Sequence, residues 1–307
     1  MTTCKSMNRD NRFFKSADEI NERILDTLKS AKKELNILYN THQKVSDLKS
    51  GFVYKKGLYL PYSSVEHRIL FDGYEVQFLS LFIDFFSRMS KGGESIFKEF
   101  AIRTIAEMGL KDSQILFSSE LNDNKKNKFK TIIMLADYAF LGLNHPGRVS
   151  EYKKLLKEQK HLLTQKQLPL FTEMSDCLDV KDGEKHKKLV KKIRRLIDST
   201  RSDLYQKTQT PKVIRTESVE AFFSAFSHLI HGNIILLTEL FSAKRPKNRN
   251  KLRVTWILLM AGINTLIHVN SFLEKKKIRL KIGNLFEQFE IVSKELANYW
   301  RQIERPK

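Results

Sequence analysis

The residues best suited to chemistry lie within Glu217–Asn233, where serine and histidine recur at helical spacing. If this stretch forms one helix, five of its polar residues share a face because they are three or four residues apart: Glu220, Ser224, Ser227, His228 and His231. A histidine beside a hydroxyl can act as a general acid and base near neutral pH, because its reference pKa is about 6.5. The alternative is that His231 is a packing histidine hydrogen-bonded to Ser227.

A second candidate pair is Arg103 and Glu107, which are four residues apart in the apolar stretch Phe100–Met108. On a helix these two side chains are neighbours, and a partly buried charge must be paired, so an ion pair is expected. The ion pair has either a purely structural role or a functional one. In the functional hypothesis it orients the histidine face and offers the guanidinium to a phosphate.

Metal and nucleotide chemistry are not indicated by any strong motif. His228 and His231 lie three residues apart near Glu217 and Glu220, but no Glu-x-x-His pair of the ferritin-like kind is present. The sequence also lacks a Walker A loop, a dinucleotide glycine fingerprint, a GxSxG elbow and an HExxH pair. We therefore expect no metal and no cofactor.

Basic residues are concentrated in three runs of the C-terminal half. The chain has 55 Lys+Arg against 35 Asp+Glu, a formal charge of +20. Residues 185–195 and 244–253 contain no acid, and residues 274–281 contain a single one. Such runs attract phosphate, although solvated helix faces, an acidic partner protein or an anionic membrane surface would also explain them. The candidate nucleic-acid-binding residues are Lys187, Lys188, Lys191, Lys192, Arg194, Arg195, Lys244, Arg245, Lys247 and Arg249.

The elements that must position these residues are helices. Apolar residues recur at three- and four-residue steps, and 12 Gly and 6 Pro are few for a turn-rich β architecture. We predict an all-α multi-helix bundle with one short β-hairpin near 52–60, and a first helix that begins at the capping box Ser16–Glu19. Further helices are expected at about 63–91, 94–118, 125–143, 148–165, 184–207, 216–242, 250–273 and 284–304. The expected organisation is an N-terminal half (1–166), a connection (167–183) and a basic C-terminal half (184–307), unless all form one domain.

Cysteine content and hydropathy predict a cytoplasmic protein. Cys4 and Cys177 are too few for a disulfide framework and indicate free thiols in a reducing compartment. The N-terminal residues lack the apolar stretch of a signal peptide. The most apolar segment, Val254–Val269, is shorter than the ~20 residues that a bilayer needs and contains Asn264 and His268. We therefore expect a buried core helix there and no transmembrane segment.

The two chemical motifs together carry a resemblance. An apolar helix with Arg-x-x-x-Glu at Arg103 and Glu107, followed by Ser-x-x-x-His-Gly at Ser227–Gly232, resembles a family of uncharacterised bacterial all-helical proteins. That family is distantly similar to the HEPN RNases of toxin and phage-defence systems, and the resemblance covers roughly residues 60–240. It implies RNA-related defence and a metal-independent ribonuclease site. HEPN RNases place an arginine shortly before the catalytic histidine, whereas no basic residue lies between Glu217 and Ser227, so Arg103 or a partner chain would have to supply that cation.

The sequence thus predicts a helical, RNA-binding protein of a bacterial defence or toxin-type system. Whether it is also a ribonuclease is left open; in that hypothesis His231, Ser227, Arg103 and Glu107 form the site. Expected partners are nucleic acid, with RNA first, and a second copy of the chain or a partner protein of a defence complex. The alternative is a non-catalytic helical scaffold or adaptor that binds an acidic protein or a membrane surface.

Overall fold

The computed structural model describes residues 3–39, 73–91, 102, 104–143, 146–208 and 247–304. Within these ranges the chain is almost entirely helical and contains no strand, which confirms the all-α class. The predicted hairpin at 52–60 and the predicted helix at 216–242 lie outside the described residues. The helices are α1 (Thr3–Leu38), α2 (Tyr74–Lys91), a π-helix (Glu107–Asp112), α3 (Ser113–Phe117), α4 (Asp123–Gly142), α5 (Pro146–Gln159), a 3-10 helix (Lys160–Leu162), α6 (Leu168–Val180), α7 (Gly183–Gln206), α8 (Lys247–Lys275) and α9 (Leu285–Glu304).

Two compact units divide the chain, and each combines segments that are distant in sequence. One comprises Met1–Glu34, Phe78–Ser118 and Gln209–Lys307, and we call it the first unit. The second unit comprises Leu35–Gln77 and Ser119–Thr208. Most of the segment 167–183, interpreted from sequence as a connection, forms helix α6. Pro169 lies in the first turn of α6, where the missing N–H has no helical partner to lose.

In the second unit, side-chain caps set where α4 and α7 begin. The Asn122 side chain accepts a 3.0 Å hydrogen bond from the Lys125 amide, and Asp182 accepts one of 2.9 Å from the Lys185 amide. Both caps satisfy amides that lack an intrahelical partner. Lys181 ends α6 in the left-handed region, with φ of 53°, so that Asp182 follows directly as the cap of α7. The direction of α7 is therefore fixed at its first residues.

Helices α4 to α7 pack around the core of the second unit. Its fully buried side chains include Ile132, Leu135, Tyr152, Leu155, Phe171 and Ile193. The Tyr152 hydroxyl donates a 2.6 Å hydrogen bond to the Phe171 carbonyl, which satisfies a polar group inside an otherwise apolar core. Cys177 is also buried, and its Sγ lies 3.3 Å from the Asp182 carbonyl. The inner face of α7 packs against this core.

In the first unit, α8 is the central helix. Gly109 of the π-helix lies so close to α8 that an added Cβ would be 2.6 Å from the Ala261 Cβ, so only glycine fits there. By length and composition, Val254–Lys275 could also span a membrane, but 72% of its most apolar window is buried inside the structure. That is the burial of a core helix, as the sequence predicts, and no other described helix meets the same criteria.

The predicted start of the first helix is wrong. α1 begins at Thr3, and the box Ser16–Glu19 lies inside it. Phe14 is 5% exposed and Ala17 is fully buried, so the apolar face continues upstream of the box. Burial of that face outweighs a capping signal, which contributes only about 1 kcal/mol.

Candidate functional site

Helix α7 has one apolar face and one basic face. Its buried residues are His186, Leu189, Ile193, Leu204 and Tyr205. The side chains that face solvent include all six cations predicted on this helix: Lys187, Lys188, Lys191, Lys192, Arg194 and Arg195. We call these six residues the basic face. Because the inner residues are anchored in the core, the basic face belongs to a fixed helix rather than to a loop.

Few carboxylates compensate the charge of the basic face. Lys187 lies 3.1 Å from Glu184, but both side chains are more than three-quarters exposed, so this pair contributes little. Within the part of the chain that the structure describes, no ion pair involves Lys188, Lys191, Lys192 or Arg195. The basic face is therefore a patch of uncompensated positive charge.

An open groove of about 500 Å³ lies between α4 and the basic face. Its lining consists of Phe140, His186, Lys187, Val190, Lys191 and Arg194. The guanidinium carbon of Arg194 is 5.3 Å from the centroid of the Phe140 ring, within the range of a cation–π contact. The sequence identified the cations but not Phe140, because only the packing of α4 on α7 brings the ring beside them.

His186 closes the bottom of the groove. It is 7% exposed, and its Nε2 lies 2.8 Å from the Ala139 carbonyl oxygen. A carbonyl can only accept, so Nε2 carries the proton and donates it. This bond joins α7 to α4 next to Phe140 and fixes the distance between the two walls of the groove.

The predicted catalytic constellation falls largely outside the described residues. This applies to Arg103, Ser227 and His231, and also to the basic residues Lys244 and Arg245. Glu107 is described: it begins the π-helix and is half-buried. The backbone of Lys247 and Arg249 lies in the first turn of α8, and their side chains lie outside the description. The pairing of Arg103 with His231 therefore stays a prediction.

A buried polar group in the first unit has no counterpart among the sequence predictions. The Asn264 amide donates a 2.7 Å hydrogen bond to the Gly109 carbonyl, which also accepts one of 2.7 Å from the Ser113 hydroxyl. Thr265 reaches the same oxygen at 3.4 Å. A π-helix shifts the regular hydrogen-bond register, so side chains of α8 and α3 supply these donors. In the sequence, Asn264 is only a polar interruption of an apolar helix.

His268 lies one turn beyond Asn264 and is 9% exposed. Within the described ranges its Nε2 has no hydrogen-bond partner. Burial disfavours the charged imidazolium and lowers the pKa of His268 to about 4. The residue is therefore a neutral histidine inside the first unit at physiological pH.

Metal-binding side chains do not cluster in the described part of the chain. Across these ranges, no group of three or more His, Cys, Asp and Glu side chains has the arrangement needed to hold an ion. The site with the clearest chemical character is thus the basic face with its groove.

Comparison of the chain with protein-family models, with curated proteins and with solved structures finds no match.

Proposed function

We propose that this protein binds nucleic acid, with RNA as the expected polymer, through the basic face of α7. The observation that carries the proposal is the set of six exposed cations on one anchored helix with almost no compensating carboxylate. Cations in such an arrangement release condensed counterions when they contact phosphates, and this release drives binding.

The dimensions of the basic face suit a polyanion. From Lys187 to Arg195 the helix advances about 12 Å at 1.5 Å per residue. Lysine ammonium groups make point contacts, whereas the guanidinium groups of Arg194 and Arg195 can bind phosphate oxygens in a bidentate manner. The face therefore offers several adjacent phosphate contacts rather than one isolated anion site.

The groove favours nucleic acid over an acidic protein or a membrane surface. All three partners would satisfy the lysines, but only nucleic acid also presents planar bases that can use an aromatic ring placed beside the cations. Acidic peptides and anionic vesicles are therefore the competing ligands against which the proposal is tested.

A wider proposal comes from the resemblance at Arg103, Glu107, Ser227 and His231. It makes the protein a metal-independent ribonuclease of a bacterial defence or toxin-type system, with His231 as acid and base and Arg103 as phosphate stabiliser. RNA binding by α7 does not depend on it, so the two proposals have separate tests.

The direct test replaces four lysines of the basic face by glutamate: Lys187, Lys188, Lys191 and Lys192. Binding of a labelled single-stranded RNA is then measured by fluorescence anisotropy. A matched control reverses four exposed lysines outside α7, namely Lys125, Lys157, Lys160 and Lys166. Both variants have the same formal charge. We expect the α7 variant to lose at least about tenfold in affinity and the control to lose much less.

If the two variants lose equal affinity for RNA, only the net charge of the protein matters, and the basic face is not a specific binding site. Acidic peptide or anionic vesicles bound more tightly than RNA, with the same dependence on α7, would replace nucleic acid by that partner.

A further inference from the structure

The groove beside the basic face combines cations with two kinds of surface that phosphate binding alone does not need. Phe140 supplies an aromatic ring and Val190 an aliphatic wall, while Lys187, Lys191 and Arg194 provide cations. The ring of Phe140 is half-buried, so part of it remains accessible in the groove. Phe140 also packs against the core of the second unit, which holds the exposed part of its ring beside the cations.

Phe140 and Arg194 form a cation–π pair that a base can extend. The guanidinium lies over the ring with its carbon 5.3 Å from the centroid. Unpaired bases stack on aromatic rings and on arginine guanidinium planes alike, and such stacking tolerates any base. A base can therefore extend this pair or take the place of the guanidinium over the ring.

A hydrogen bond joins the two helices that form the groove, which favours a preformed site. His186 is buried beneath it and donates to the Ala139 carbonyl at 2.8 Å, which joins the two helices next to the ring. Val190 and the buried Leu189 follow on the inner side of α7. A ligand thus meets walls whose separation is already set and loses less free energy in ordering them.

We infer that this groove binds one unpaired base of a single-stranded nucleic acid, with Phe140 as the stacking platform and with Lys187 and Lys191 on the flanking phosphates. The inference rests on the proposed function and adds to it that single strands are the preferred class. In a duplex the bases are paired and stacked on one another, so a duplex can reach the cations but not the ring. A volume of about 500 Å³ lies within the range of small-molecule sites and suits a single nucleotide rather than a helix.

The test compares three labelled oligomers of equal length, which are a single-stranded RNA, its duplex and an abasic single strand that keeps the phosphates. Each is titrated with wild type, Phe140→Leu and Phe140→Tyr. The leucine keeps an apolar side chain without a ring, and the tyrosine restores the ring. The matched control is Phe286→Leu on α9, since the Phe286 ring is likewise accessible, with 36% of its surface exposed.

Phe140→Leu should lose about fivefold to a hundredfold in affinity for single-stranded RNA, the range that base stacking contributes. Its affinity for the duplex and for the abasic strand should stay within about twofold of wild type. Phe140→Tyr should bind all three like wild type, as should Phe286→Leu. Wild type should prefer the RNA over the abasic strand by the same factor that Phe140→Leu loses.

Two kinds of failure are distinguishable. If Phe140→Leu binds single-stranded RNA like wild type, or loses affinity equally for all three oligomers, the base-binding groove is wrong while the basic face stands. If the α7 charge reversal leaves every oligomer bound as before, the proposed function itself is wrong.

Discussion

The guanidinium of Arg194 lies over the ring of Phe140, which places a cation of α7 against an aromatic residue of α4 within the second unit. This contact favours one position of a long side chain at the edge of the groove. Arg194 therefore contributes a positive charge and a planar surface, and the two contributions can be separated by substitution.

Arg194→Lys keeps the charge and removes the plane, whereas Arg194→Gln removes both. We expect Arg194→Gln to lower the slope of log K against log salt by about 0.7 for single-stranded RNA, the value of one neutralised phosphate. Arg194→Lys should preserve that slope but bind a few-fold more weakly than wild type. Salt titrations of the three proteins measure the slopes and affinities, and an Arg194→Lys variant that binds as tightly as wild type would contradict a role for the guanidinium plane.

The second unit contains a buried ion pair away from the basic face. Lys130 Nζ lies 2.6 Å from Glu75 Oε1, with side-chain exposures of 8% and 5%. Removing one partner takes away the charge that neutralises the other inside the unit, so Glu75→Leu and Lys130→Met should each cost about 3–5 kcal/mol of unfolding free energy. The double variant should cost less than either single one. Urea denaturation checks this, and additive losses would show that the two charges are not coupled.

Helical periodicity predicted most of the helices because each apolar stripe is local information. The prediction of 184–207 agrees with Gly183–Gln206, and that of 284–304 agrees with Leu285–Glu304. Helix α6 was not predicted because the segment 167–183 was interpreted as a connection, although Pro169 fits the first turn of a helix. The π-helix was not predicted, and no local pattern relates Gly109 to Ala261, the residue that it approaches closely in α8.

The candidate site was predictable only where it depends on one helix. The exposure of the basic face follows from its position opposite Leu189 and Ile193 on α7. The groove depends instead on which residues of α4 meet α7, and no local pattern relates Phe140 to Arg194 across more than fifty residues. For the same reason, the bond between His186 and Ala139 was not predicted.

Acid should destabilise the first unit through His268. Its pKa of about 4 lies below the unfolded value of 6.5, so the folded state favours the neutral form. Stability from this group is complete above pH 6.5 and is lost as the pH falls towards 4, because only the unfolded chain takes up the proton. Between pH 7 and pH 5 the loss should be about 2 kcal/mol.

Denaturation of wild type and His268→Leu at the two pH values isolates that loss. The leucine variant should lack it, so its stability should fall less with acid than that of wild type. His161→Leu, at an exposed position, serves as the control and should follow wild type. Parallel pH dependence in all three proteins would show that His268 is protonated equally in both states.

The proposed ribonuclease site is tested through His231. A catalytic role predicts that His231→Ala folds normally and loses RNA cleavage or cellular toxicity by about 10²–10⁴-fold. A structural histidine bonded to Ser227 predicts a loss of about 1–3 kcal/mol in stability instead. Arg103→Ala should fall in the same class, because both residues belong to one proposed constellation. If His231→Ala changes neither stability nor activity, both roles are excluded.

The salt dependence of RNA binding tests the central claim most directly. The affinity for one single-stranded RNA is measured from low to moderate salt for wild type and for the variant with glutamate at 187, 188, 191 and 192. The slope of log K against log salt should become shallower by about 0.7 for each phosphate that α7 no longer neutralises, and so by nearly 3 for all four lysines. Equal slopes for the two proteins would show that α7 does not contact phosphate and would contradict the account.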